Sequence, residues 1–312
     1  MKKLLSLILC ILCVISLCAC KSENSTQTDT DSSSLNIVAT IFPQFDFARE
    51  IGKDKANVKM LITPGTESHS FEPTTSDILA IQNCDIFIYT GGESDHWIDS
   101  LLQNIENNDI KIVSLMDIID PHSHEEEEHE HSHHNHSHTD EHVWTSPKNA
   151  VKIAEAICKE MCDSAPQNAQ YYKDNLSIYT DKLQTLDKDF ADTVTTAKRN
   201  TMVFGDRFPL THFSKEYGLE YFAAFSGCSE DTEPSASVVA DLIRKVKSDN
   251  IPVVFKIELS SDSIANTVAK ETGAQVLTFY SCHNISKEDF ENGETYLSLM
   301  QKNIESLKTA LN

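Results

Sequence analysis

From Tyr172 to Val194 the apolar residues Tyr172, Leu176, Tyr179, Leu183, Leu186, Phe190 and Val194 recur three or four positions apart without a break. That spacing places them on one side of an α-helix. The segment therefore predicts one apolar stripe along a helix of about thirty residues, roughly 45 Å long at 1.5 Å per residue. One ordinary lobe does not need a helix of that length. The stripe implies instead a backbone helix, over 165–199, spanning two lobes that lie before and after it in sequence.

On both sides of the stripe, short β-rich runs alternate with helical spacing. Before it, Asn36–Ile41, Val58–Ile62, Asp85–Tyr89 and Lys111–Leu115 read as strands, and Phe45–Gly52, Ser76–Cys84 and Trp97–Asn107 as helices. Ser146-Pro147 is an N-cap followed by proline at the first helical position, which predicts a helix to about Asp163. After the stripe, Thr201–Phe204, Tyr221–Phe225, Pro252–Ile257 and Val276–Tyr280 read as strands; Ser235–Ser248, Ser261–Thr272 and Thr295–Leu311 read as helices. The alternation predicts an α/β fold of two lobes, 35–164 and 200–312, each with about four mostly parallel strands and flanking helices. Ligands in such folds sit at the carboxyl ends of strands, in the crevice between lobes.

The amino terminus states a destination. Lys2-Lys3 and the apolar stretch Leu4–Ala19 have the layout of a secretory signal, here 1–19, and are shorter than a spanning helix requires. Leu17-Cys18-Ala19-Cys20 resembles the bacterial lipobox, which implies cleavage before Cys20 and acylation of its thiol. Residues 20–34 are then a lipidated tether, too polar to fold. The expected location is extracytoplasmic, anchored to the plasma membrane. Five cysteines remain beyond the leader: Cys84, Cys158, Cys162, Cys228 and Cys282. The odd number leaves at least one thiol without an intrachain partner. Cys158 and Cys162 lie four apart on a predicted helix, which rarely suits a disulfide.

Between Pro121 and Trp144 lies a run of a different kind. Residues 122–138 contain eight histidines (His122, His124, His129, His131, His133, His134, His136 and His138) and five glutamates, with no apolar side chain. Such a run cannot pack a core, but it offers the nitrogen and oxygen donors that borderline divalent ions take. It is too repetitive to form one fixed site and reads as a flexible metal-capturing loop over 121–140. The formal charge of −22 argues against nucleic acid and anionic lipid headgroups as partners.

Three further histidines stand apart from the run. His69 lies in a Gly/Pro loop after the strand ending at Ile62, His142 directly before the Ser146-capped helix, and His283 after the last strand. All three fall on loops at strand ends or helix entries, where a cleft forms.

Pro64-Gly-Thr-Glu-Ser-His-Ser-Phe-Glu-Pro73, with Asp77 after it, and Asp140-Glu-His-Val-Trp-Thr-Ser-Pro147 resemble the two amino-lobe metal-ligand segments of the zinc/manganese solute-binding lipoproteins of bacterial ABC importers. The resemblance runs from Asn36 to Leu311. It implies two lobes holding one Zn²⁺ or Mn²⁺ between them, with His69 and His142 as ligands. Zinc-type members carry a histidine-rich loop before the second segment, as this chain does.

The carboxy lobe departs from the family's pattern. Where a His-Asp-Ala or Glu-Gly-Ala segment is usual, this chain has Phe204-Gly-Asp-Arg-Phe-Pro209, so the ligand position falls near Gly205 or Asp206. His283 stands where the family has a final aspartate. The expected set is His69, His142 and His283, with Asp206 as fourth ligand or as an acceptor behind the ligands; His212 is a further candidate, expected on an outward helix face. The Gly227–Ser235 and Ser281–His283 loops would rim the same crevice. Paired cysteines outside the cytoplasm usually end as disulfides, so a Cys228–Cys282 bridge is expected, the alternative being two zinc thiolates.

The function that follows is capture of Zn²⁺ outside the membrane and delivery to an ABC permease. Partners are that permease and the bilayer through Cys20, and the chain is read as a monomer. Histidine dominance suits Zn²⁺, whereas Mn²⁺ would favour more oxygen. An enzyme is not expected: there is no Gly-x-Ser-x-Gly elbow, and Glu67 and Glu72 flank His69 without the spacing of a general base. A metal-stabilised adhesin is the remaining alternative.

Overall fold

Two four-stranded parallel sheets share one strand order. In the first, β1 (Leu35–Ala39), β2 (Ala56–Met60), β3 (Ile86–Tyr89) and β4 (Lys111–Ser114) lie in the order β2-β1-β3-β4. In the second, β5 (Thr201–Phe204), β6 (Glu220–Ala223), β7 (Val253–Lys256) and β8 (Gln275–Thr278) lie in the order β6-β5-β7-β8. The computed structural model describes residues 34–66, 71–92, 95–105, 109–120, 140–225, 227 and 233–312, and Leu35–Asn312 make one compact unit. The expected α/β class is the observed one.

Helices face both sheets. The amino lobe carries α1 (Phe42–Gly52), α2 (Thr75–Gln82), α3 (His96–Leu102), α4 (Leu115–Ile119) and α5 (Pro147–Ser164). The long helix α6 (Ala169–Thr195) follows, and the carboxy lobe adds α7 (Thr211–Tyr217), α8 (Ala236–Ser248), α9 (Ser263–Thr272), α10 (Lys287–Glu291) and α11 (Tyr296–Leu311). Helix α1 starts three residues before the expected Phe45, because Pro43 sits in its first turn, where a missing N–H costs nothing.

Helix α6 has 27 residues, about 40 Å at 1.5 Å per residue. Tyr172, Tyr179, Leu183, Leu186 and Phe190 of the stripe are buried. At its start the Tyr172 hydroxyl donates to the Lys55 carbonyl (3.0 Å), beside β2. Further on Tyr179 packs against Phe47 of α1, and Phe190 meets Phe213 of α7 edge-on at 4.9 Å. One helix thus touches both lobes, and a single apolar cluster runs from Leu35 through α5 and α6 to Leu311. Helix α11 adds a second cross-tie, its Tyr296 N–H donating to the Asp46 carboxylate of α1 (2.8 Å).

Candidate metal centre

His142 enters the crevice on a short, heavily bonded segment. Its backbone N–H donates to Asp140 Oδ1 (3.0 Å), and its ring Nδ1 lies 2.6 Å from the same oxygen. The chain then enters a 3-10 turn, Val143–Thr145, and Ser146 caps α5 by accepting the Asn149 N–H. Asp140 also reaches the carboxy lobe: Oδ2 accepts the Thr211 N–H (3.1 Å), and its carbonyl accepts from His212 Nε2 (2.8 Å). Burial works to raise the Asp140 pKa, but the hydrogen bonds and charge interaction with His142, helped by Thr211, outweigh it and hold the carboxyl well below its usual range. A carboxylate on Nδ1 fixes the ring and leaves Nε2 for the cleft.

His283 is presented by the turn after β8. Tyr280 is clamped by buried Asn303, which accepts its N–H (2.7 Å) and donates to its carbonyl (2.8 Å). Then Cys282 takes φ +59°, the left-handed region, which costs a non-glycine residue roughly 1–2 kcal/mol. The bend brings three donors onto Glu258, two residues past the end of β7: Ser281 N–H to Oε2 (2.7 Å), Ser281 Oγ to Oε1 (2.7 Å) and His283 N–H to Oε1 (3.2 Å). Burial raises the Glu258 pKa despite these bonds.

The two histidines meet. His142 Nε2 lies 3.2 Å from His283 Nδ1, at the mouth of a cavity of about 170 Å³ that Glu258, Ser260, Arg207 and Thr66 also line. Two nitrogens bound to one tetrahedral Zn²⁺ at about 2.0–2.1 Å stand roughly 3.3 Å apart, so the spacing suits a shared ion. Trp144 supports both rings, with ring centroids 5.2 Å from His142 and 5.3 Å from His283. Its indole N–H donates to the Ser281 carbonyl (2.9 Å), and its own carbonyl accepts from the Tyr296 hydroxyl (2.7 Å).

Asp206 does not join them. Its Oδ1 accepts the Arg207 N–H (2.8 Å), and Oδ2 accepts the Ile257 N–H (2.9 Å) and the Ser260 hydroxyl, so the carboxylate braces the loops after β5 and β7 from inside the lobe. It is not among the residues lining the cavity. Among the described residues, no three His, Cys, Asp or Glu side chains are grouped to hold a metal. Gly205 has no room for a ligand either: a Cβ there would stand 2.4 Å from the Cα of Ala265 in α9. His212 faces the Asp140 carbonyl rather than outward.

The expected Cys228–Cys282 bridge is corrected at one end. Cys282 is a free, fully buried thiol, turned into the core by its left-handed backbone; Cys228 lies outside the described residues. Cys158 and Cys162 are free thiols 3.9 Å apart. His69, residues 122–138 and Cys20 also fall outside the described residues. The loop residues before His69 are nonetheless tied to the His283 turn: Asn284 Nδ2 donates to the carbonyls of Thr63 (3.1 Å) and Thr66 (2.7 Å), and Gly65 N–H donates to the Ile285 carbonyl (2.8 Å). Sequence reasoning missed the roles of Asp140 and Glu258. Each carried a signal, Asp140 two residues before a candidate histidine and Glu258 at the carboxyl end of a strand.

Two parallel α/β lobes, with a histidine from each meeting at the crevice between them, define a two-lobed α/β protein with a histidine-lined cleft. The sequence model of the periplasmic zinc-uptake complex component A family (ZnuA) matches residues 37–310, and the chain belongs to that family. It is 35% identical over 312 residues to the zinc-binding lipoprotein AdcA of Streptococcus pneumoniae strain R6, covering 99% of this chain but spanning only 61% of that relative's length. It is 33% identical over 315 residues to the high-affinity zinc uptake system protein ZnuA of Bacillus subtilis strain 168, covering 99% of this chain and 98% of that protein. Among solved structures it is similar to the Zn(II)-bound ZnuA-like domain of Streptococcus pneumoniae AdcA, with a TM-score of 0.74 and 31% identity over 89% of this chain and 99% of that one. The metal-dependent lipoprotein YcdH of Bacillus subtilis gives a TM-score of 0.77 at 31% identity, over 89% of this chain and 100% of that one.

Proposed function

We propose that this protein is an extracytoplasmic zinc carrier, which takes up Zn²⁺ between His142 and His283 and hands it to the permease of an ABC importer. The observation that carries the reading is the 3.2 Å approach of His142 Nε2 to His283 Nδ1 across the lobe boundary. His69 supplies the third imidazole, on a loop whose preceding residues are bonded to Asn284 and Ile285. The names of the relatives, zinc-binding lipoprotein and high-affinity zinc uptake protein, support the cargo. Acylation of Cys20 tethers the chain to the membrane, and residues 122–138 concentrate zinc at the cleft mouth.

A harder ion such as Mn²⁺ would want carboxylate oxygen. Glu258 lines the cavity, but its carboxylate already accepts three hydrogen bonds. The protein is a carrier rather than a catalyst. His129-Glu-His-Ser-His133 does match the spacing of zinc hydrolases, but a tract built of His and Glu meets that pattern by composition, and its sequence carries no apolar residue to set a helical pattern.

Crystals grown with one equivalent of zinc test the site. Anomalous scattering at the zinc edge should give one strong peak bonded to His142 Nε2 and His283 Nδ1. A peak bonded to neither histidine would refute the assignment.

A further inference from the structure

We propose that Glu258 is the positioning residue for His283: its carboxylate is the anchor about which the Ser281–His283 turn folds, and it aims the imidazole at His142. The inference rests on His283 binding the metal.

Glu258 sits one strand away from the turn it organises, at the end of β7, while the turn follows β8. All three donors to its carboxylate come from that turn, two of them backbone N–H groups on either side of Cys282. Two N–H groups converge in this way only because Cys282 is left-handed, and such a concave pair is a ready seat for an anion. The same bend sends the side chains of Cys282 and His283 in opposite directions. Cys282 goes into the core, and His283 goes to the cleft, 3.2 Å from His142. From the other lobe, Trp144 Nε1–H holds the Ser281 carbonyl. The turn is therefore pinned on both sides, by a carboxylate behind it and an indole in front.

Without the carboxylate, the Ser281 N–H loses its acceptor, the His283 N–H keeps only its longer bond to Ser281 Oγ (3.3 Å), and the strained Cys282 conformation loses bonds that offset it. The turn would relax and the imidazole would swing from its aim. Glu258 thus acts on the metal through His283 rather than by touching it.

The test is a cycle of zinc affinities in the full chain: the parent, Glu258→Gln, His283→Ala and the double variant. The expected result is a loss of about tenfold or more in each single variant. The double variant should be within about threefold of His283→Ala alone, because both changes remove the same imidazole. X-ray absorption of the zinc-loaded Glu258→Gln protein should show one imidazole fewer than the parent. Ser281→Ala removes one of the three bonds and should give a smaller loss in the same direction; it carries the test if Glu258→Gln does not fold. Losses that multiply in the double variant, or an unchanged imidazole count with one oxygen fewer, would overturn the proposal and make Glu258 a ligand or a general structural acid. If His283→Ala leaves zinc affinity unchanged, the ligand assignment falls, and this inference falls with it.

Discussion

His142 Nε2 and His283 Nδ1 stand 3.2 Å apart although 141 residues separate them in the chain. His142 is held by Asp140 from the amino lobe, and His283 by Glu258 from the carboxy lobe. Asp206, the acid expected from the sequence, is spent inside its own lobe. Alanine at His142 or His283 should therefore weaken zinc binding by about a hundredfold or more, taking the effect of lost supporting groups as a lower bound. Asp206→Ala should leave the affinity within about threefold but lower stability by roughly 2–4 kcal/mol, since it orphans buried N–H groups. Zinc titration alongside thermal unfolding of the three metal-free variants separates the two behaviours.

Asp140 joins the proposed metal ligand His142 to the lobe contact at Thr211 and His212. Asp140→Ala leaves His142 Nδ1 and the Thr211 N–H without their acceptor, and should cost about ten- to a hundredfold in zinc affinity. Asp140→Asn, whose amide oxygen can still accept one of these bonds, should recover part of the loss. Competition against a fluorescent zinc chelator measures both.

The lobe structure was legible in the sequence because it is written in local patterns. The β-branched runs gave all eight strands to within a few residues, and the stripe from Tyr172 gave α6. Helix α7 was anticipated around His212 but given no bounds: Thr211–Tyr217 is only seven residues long, too short for periodicity to register. At the candidate site, His142 and His283 were singled out from their loop positions, and the structure brings their rings together. Asp206 was expected as a fourth ligand or as an acceptor behind the ligands; its partners here, Ile257 and Ser260, are some fifty residues away and invisible to spacing. The hydrogen bonds that seat Glu258 depend on the backbone sign at Cys282, where nothing in the residue type forecasts a left-handed turn.

Asp46 makes the metal-free protein's stability depend on pH. Burial, opposed by Arg49 and the Tyr296 N–H, raises its pKa from 3.8 to about 6. Over roughly pH 4 to 6 the folded state then binds more protons than the unfolded state, so this group's contribution to stability falls as pH rises through that window. The shift bounds the effect at about 3 kcal/mol. Asp46→Asn keeps an acceptor for Tyr296 without the charge. Its melting temperature relative to the parent should rise between about pH 4.5 and 7; parallel curves would refute the role given to Asp46.

Metal removal should not unfold the protein. The apolar cluster joining both sheets, α6 and α11 is built without any of the proposed metal ligands. Chelation should leave helical circular dichroism in place, while loss of bound zinc lowers apparent stability by about 4 kcal/mol if free zinc had stood at a thousand times its dissociation constant. Collapse of the helical signal on chelation would favour a structural metal.

The most direct test of zinc capture in the cleft is titration of three proteins: the intact chain, a variant lacking residues 122–138, and His69→Ala. The account predicts one tight equivalent that survives deletion of the histidine-rich run and is lost in His69→Ala, with weaker equivalents lost only in the deletion. Loss of the tight equivalent on deleting residues 122–138 would contradict it.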